Sequence, residues 1–150
     1  MLKKRIVLAT LAVPLVLLPL ACSKDETLSK EEYASRLSAM CESFQAREQK
    51  IGEPQTLEDL VEKGPQVLDA FEETIVDKVH SLKAPAEIAD QADRLVDLTD
   101  EQRGVLADLI EAAKKNDVAK VQELAAKNER VNEQTGSLAR DLGAKSCVKD

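Results

Sequence analysis

Residues 85–115 read PAEIADQADRLVDLTDEQRGVLADLIEAAKK. Ile88, Ala92, Leu95, Thr99, Gln102, Leu106, Leu109 and Ala113 follow one another at alternating intervals of four and three, one stripe on a helix of about 3.6 residues per turn. Pro85 suits a first turn, because its missing N–H would have no partner there in any case. Asp90, Asp93, Asp97 and Asp100 scatter over the remaining faces and read as solvated surface. After Asn116-Asp117 the stripe resumes as Val121, Leu124, Asn128, Val131, Thr135, Leu138 and Leu142, and Gly143 stops it. Two long amphipathic helices joined by a two-residue turn pack beside one another, and the rest of the chain has to supply their partners.

Upstream, Ser29-Lys30-Glu31-Glu32 has the form of a capping box, followed by Tyr33, Leu37, Met40, Cys41 and Phe44 at helical spacing, so a first helix runs from about Ser29 to Lys50. Gly52 and Pro54 end it, and Thr56 with Asp59 offers a second cap. Gly64-Pro65 interrupts the next pattern, since proline removes a backbone donor and crowds the preceding turn. The expectation is a short helix to about Lys63 and a separate helix from Pro65 to Leu82 carrying Leu68, Phe71, Ile75 and Val79. The fold read from these elements is all-α: an antiparallel up-down four-helix bundle with a short extra helix before its second helix.

Composition agrees. Hydrophobic residues make up 43% and aromatics only 2%, with no Trp, so the core must be built from Leu, Val, Ile and Ala, which suit helix interfaces. Of 21 basic residues three are Lys3, Lys4 and Arg5, so the chain beyond them carries 18 against 28 acidic residues, a net −10. Such a surface repels phosphate backbones, and nucleic acid is not an expected partner.

Those three charges precede an uncharged run, Ile6 to Leu20, that ends in Ala21-Cys22-Ser23-Lys24. The order of basic, apolar and small residues is that of an export signal, with an apolar core shorter than a spanning helix needs. Leu20-Ala21-Cys22, followed by the polar Ser23 to Thr27, resembles the processing site of bacterial lipoproteins, with Pro19 departing from the family's pattern. The resemblance implies lipid on Cys22 and a domain held at the outer face of a bacterial membrane. Ordinary cleavage before Lys24 and an uncleaved anchor are the other two readings of the segment. The divisions expected are a signal over residues 1–22, a tether over 23–28 and a helical domain over 29–150.

With Cys22 assigned to lipid, Cys41 and Cys147 remain to pair outside the cytoplasm, the alternative being two unrelated buried thiols. An unbroken helix from Leu57 would leave Cys41 roughly 15 to 20 Å above the end of the last helix, at about 1.5 Å per residue. The break at Gly64-Pro65 is expected to bring the two cysteines level.

No constellation for catalysis or metal binding stands out. His80 is the one histidine, too few for a zinc or di-iron site, and the chain has neither a nucleophile elbow nor a Gly-rich phosphate loop. No cofactor is called for, and the chain is not read as an enzyme. The irregularity that stands out is internal: Thr99 and Gln102 on one stripe and Asn128 and Thr135 on the next, at about the same distance from the turn at Asn116. Such a layer either fixes helix register by hydrogen bonding or forms one wall of a ligand pocket.

Two resemblances concern the domain. Tyr33 and Cys41 on the first helix, the Leu82, Pro85, Glu87, Ile88 turn and the Leu142, Gly143, Cys147 ending are similar to a group of small uncharacterised secreted or lipid-anchored helical proteins. That group brings no activity with it. Leu98-Thr99-Asp100-Glu101-Gln102 looks like the LTxxQ motif of the periplasmic envelope-stress chaperones, and as a capping box it would start a helix at Thr99. Three roles follow as expectations: an interaction module docking another envelope protein, a small-ligand-binding bundle using Thr99, Gln102, Asn128 and Thr135, and an LTxxQ-like chaperone.

Overall fold

The Ser29 hydroxyl accepts from the Glu32 N–H at 3.2 Å while the Glu32 carboxylate accepts from the Ser29 N–H at 2.9 Å, and this reciprocal pair opens α1, Lys30–Ile51. Those bonds to Ser29, foremost the one from its backbone, hold the Glu32 carboxyl below its ordinary pKa. The computed structural model describes residues 27–147. Within them every regular element is helical: α2 (Leu57–Phe71), a π-helical turn (Glu72–Val76), α3 (Asp77–Ser81), a 3₁₀ turn (Ala86–Ile88), α4 (Ala89–Lys114), α5 (Val118–Asp141) and a final 3₁₀ turn (Lys145–Cys147). The described residues therefore form an all-α helical bundle of four long segments, with α2, the π turn and α3 running on as one.

That continuity corrects the expected break. Pro65 lies inside α2, and no short separate helix precedes it. Gly64 is there for close approach: a Cβ on it would meet Ile110 Cγ1 of α4 at 2.8 Å. With α2 seated this tightly on α4, packing on both sides of Pro65 keeps the helix going, at the cost of one backbone hydrogen bond. The irregularity in this segment lies later, at the π turn, where three consecutive β-branched residues, Thr74, Ile75 and Val76, crowd the helix. The buried Thr74 hydroxyl donates to the Ala70 carbonyl at 2.6 Å, a bond that competes with regular winding.

α4 is also unbroken, so Thr99 starts no helix; its hydroxyl donates back to the Leu95 carbonyl. Asn116, at φ 55°, turns the chain between α4 and α5, and the Asp117 side chain caps α5 by accepting from the Lys120 N–H. Gly143, at φ 94°, performs the corresponding reversal after α5, with the Ala144 N–H bonded to the Ala139 carbonyl.

From that reversal, residues 143–147 form a strap that doubles back. Gly143 lies against Ala34, near the start of α1, while the Cys147 carbonyl oxygen is 3.7 Å from where a Cβ on Gly136 would stand. Along this climb Cys147 reaches Cys41, and the two form a disulfide with Cα atoms 5.0 Å apart. The bridge needs no break at Gly64-Pro65, because the strap rises to meet Cys41. Ser146 adds two bonds to α1, its carbonyl accepting from Gln45 Nε2 and its hydroxyl donating to Glu42, each at 2.8 Å.

Two clusters gather part of the hydrophobic interior. One gathers Tyr33, Leu37, Met40, Val79, Ile88, Leu95, Leu142 and Ala144, together with Leu28, whose N–H donates to the Lys83 carbonyl. The other, toward the turn at Asn116, holds Val105, Leu109, Ala112 and Leu124 with Leu60 and Val121 against it. Phe71, Leu98, Ile110 and Val131 are buried outside both clusters, and the site adjoins the cluster that holds Leu37, Met40, Val79 and Leu95.

Candidate functional site

Beside the cluster of Leu37, Met40, Val79 and Leu95 the bundle opens into a cleft of about 520 Å³. Its mouth separates α1 from α5, which are joined chiefly through the strap. Small-molecule sites commonly enclose about 300 to 1,000 Å³.

Three elements give the cleft an apolar wall. α1 contributes Leu37, Met40 and Phe44; α2 and the π turn contribute Val67, Phe71 and Ile75; α4 contributes Leu95 and Leu106. Phe44 and Phe71 meet edge to face with ring centres 5.4 Å apart, fixing one end of this wall. The π turn sets the phase of its helix here, so that Phe71, Ile75 and Val79 all reach the cleft.

Polar side chains enter the lining from α4, on the same stripe as Leu95 and Leu106, and from α5. Thr99, Gln102, Asn128 and Thr135, singled out on two separate stripes, all line this one cleft. Thr99 is 1% exposed and Gln102 9%. Thr99 and Thr135 each donate their hydroxyl hydrogen to the carbonyl one turn back, of Leu95 and Val131, at 2.8 Å. Gln102 Nε2 donates to Asn132 Oδ1 at 3.3 Å, so its partner on α5 is neither Asn128 nor Thr135. The Oδ1 atom of Asn128 is buried with no hydrogen-bond partner. Buried polar atoms in native proteins are nearly always paired, which makes this atom the anomaly of the site.

The disulfide borders the cleft, since Cys41 and Cys147 are both part of the lining. Glu48, Glu133 and Arg140 supply its charged groups; Glu133 and Arg140 are exposed and Glu48 is partly buried, which puts charge at the rim. Asn132 stands off the α5 stripe because it falls one position past Val131. Its spacing from Asn128 and Thr135, four back and three on, was the signal that places it on their face. Gln45 was hidden in the same way, beside the stripe residue Phe44.

The remaining residues of interest lie elsewhere. His80 Nε2 is 2.9 Å from Asp100 Oδ1 in an exposed pair on the surface. Among the described residues no group of three or more His, Cys, Asp or Glu is placed to hold a metal, and no helix is long and apolar enough to cross a membrane. Cys22 lies outside the described residues. No protein-family model matches the chain, and neither the curated proteins nor the solved structures yield a match.

Proposed function

We propose that the chain is a membrane-tethered, extracytoplasmic, non-enzymatic binding protein that takes a small molecule in the cleft between α1 and α5. The observation that carries this reading is convergence. Four polar residues that interrupt two apolar stripes line one 520 Å³ opening. A polar layer that only fixed register would close upon itself, whereas this one borders open space and leaves Asn128 Oδ1 unpaired. The cleft sets this reading ahead of the other two, the docking of an envelope protein and an LTxxQ-like chaperone, because Thr99 and Gln102 face it rather than solvent.

An antiparallel up-down arrangement of the four segments fits the same reading. Gly64 against Ile110, Glu72 with Arg103 and His80 with Asp100 advance along one chain segment as they retreat along the other. Arg47 with Glu73, and the cluster that joins Tyr33 and Met40 to Val79, do the same for α1. Export and tethering rest on Lys3 to Arg5, the apolar run to Leu20 and Ala21-Cys22. Mass spectrometry of the mature protein tests this part: lipid-modified Cys22 at the N-terminus is the expected result, and an N-terminus at Lys24 contradicts it.

Binding is tested with the neutral apolar fluorophore N-phenyl-1-naphthylamine on the chain from residue 23 to 150. Saturable binding is expected, and Leu106→Trp, which fills part of the cleft, should weaken it about tenfold, a change of about 1.4 kcal/mol. Absence of saturable binding, or binding that Leu106→Trp leaves untouched with the fold intact by circular dichroism, would remove the cleft as the site.

A further inference from the structure

We infer that the ligand of the cleft is an uncharged amphiphile: a flexible apolar body with a single hydrogen-bond-donating head, a hydroxyl or an amide N–H, received by Asn128. The inference rests on the binding role proposed for the cleft and specifies the chemistry of its occupant.

The two walls divide the ligand. Phe44, Phe71 and Ile75, from α1, α2 and the π turn, offer carbon to one side of it. Hydrogen-bonding groups face it from α4 and α5, so its polarity must be gathered on that side. Charge is disfavoured within. The inner polar wall is made of amides and hydroxyls, with no ionised side chain among Thr99, Gln102, Asn128 and Thr135, and a charge desolvated there would lack a counter-ion. At the rim two carboxylates, Glu48 and Glu133, stand with one guanidinium, Arg140.

The head is read from the one buried acceptor of the site that lacks a donor. Both threonine hydroxyls donate to their own helices, and Gln102 Nε2 donates to Asn132. Asn128 Oδ1 is an acceptor with nothing to accept from. Asn128 is part of the cleft lining, and a ligand O–H or N–H seated beside it would complete that oxygen. An ether, ester or quinone offers only acceptors and leaves it unpaired.

Photolabelling of the full chain in its own membranes separates the possibilities. Four diazirine probes share one ten-carbon chain and end in a hydroxyl, a methyl, a carboxylate or a trimethylammonium group, and labelled peptides are mapped by mass spectrometry. The expected result is labelling of cleft residues on α2 and α5, with the alcohol favoured over the methyl-ended probe by about tenfold, the worth of one buried hydrogen bond. In Asn128→Leu that preference should vanish while labelling by the methyl-ended probe persists, which also shows that the variant folds. Stronger labelling by the carboxylate would seat the head on Arg140, and stronger labelling by the ammonium would seat it on Glu48 and Glu133. Either outcome overturns the neutral class while leaving the cleft as the site. An alcohol preference unchanged in Asn128→Leu overturns the role of Asn128, and no probe in the cleft overturns the binding role itself.

Discussion

Gly64 shows how one residue can carry two opposite meanings. Beside Pro65 it reads as a helix breaker, yet it stands mid-helix because α2 and α4 approach so closely there that a methyl group would meet Ile110 Cγ1 at 2.8 Å. In an open helix Gly→Ala stabilises by about 0.8 to 1 kcal/mol. Here the overlap should outweigh that gain by about 1 to 2 kcal/mol. Gly64→Ala is therefore expected to lower the thermal midpoint by about 3 to 6 °C in a domain of this size. Adding Ile110→Ala, which removes the obstructing atom, should make the same substitution neutral or stabilising relative to Ile110→Ala alone. A rise in midpoint for Gly64→Ala in the native background would mean that α2 and α4 do not pack this closely. Asn128 is the complementary case, a residue whose type is legible in the sequence while its missing partner is not, since a hydrogen bond left unmade has no periodicity.

Elements whose signals are local match their expectation most closely. α1 begins after Ser29 with both bonds of the box that Ser29 and Glu32 spell out, α5 begins after the Asn116-Asp117 turn, and Gly52 and Gly143 end their helices at φ 82° and 94°. Signals that depend on neighbours were not legible. Whether Pro65 breaks a helix is decided by α4, and the π turn at 72–76 arises from crowding within a helix that still reads as one stripe. The start of α2 makes a pH prediction. Asp59 accepts from Lys63 Nζ at 2.8 Å, from the Gln55 N–H at 3.1 Å and from the Thr56 hydroxyl at 3.2 Å. Together, with Lys63 foremost, these donors pull its pKa from 3.8 down to about 2. A depressed carboxyl pKa means that the folded chain favours the ionised form. Its contribution is thus fully present above about pH 4 and lost as pH falls toward 2. Asp59→Asn should lower the midpoint at pH 7, and the gap to the native chain should close on acidification through that window. A gap constant from pH 7 to pH 2 would contradict the assignment.

At the scale of the molecule the disulfide joins the strap to α1 across a sequence separation of 106 residues. Closing so long a loop in the unfolded chain corresponds to about 4 to 5 kcal/mol in the chain-entropy picture. Replacing Cys41 and Cys147 with Ser should lower the thermal midpoint by about 10 °C or more. A fall of only a degree or two would show that α1 is held by its packing on α2 without need of the strap. The pairing was legible from the count of cysteines, but its route was not: it depends on the left-handed turn at Gly143 and on the buried Ala144 directing the strap up between α1 and α5. The four polar residues of the cleft were legible as interruptions of two stripes. The apolar wall that completes it was not, because Phe71 and Ile75 look like ordinary core until α1 and α5 are seen to stand apart. The most direct measurement of the central claim is a nuclear magnetic resonance titration of the chain from residue 23 to 150 with N-phenyl-1-naphthylamine. The account predicts saturable shifts concentrated at Phe44, Phe71, Ile75, Gln102, Asn128 and Thr135. Shifts confined to the exposed Val61 and Val118, or spread without saturation over the surface, would contradict it.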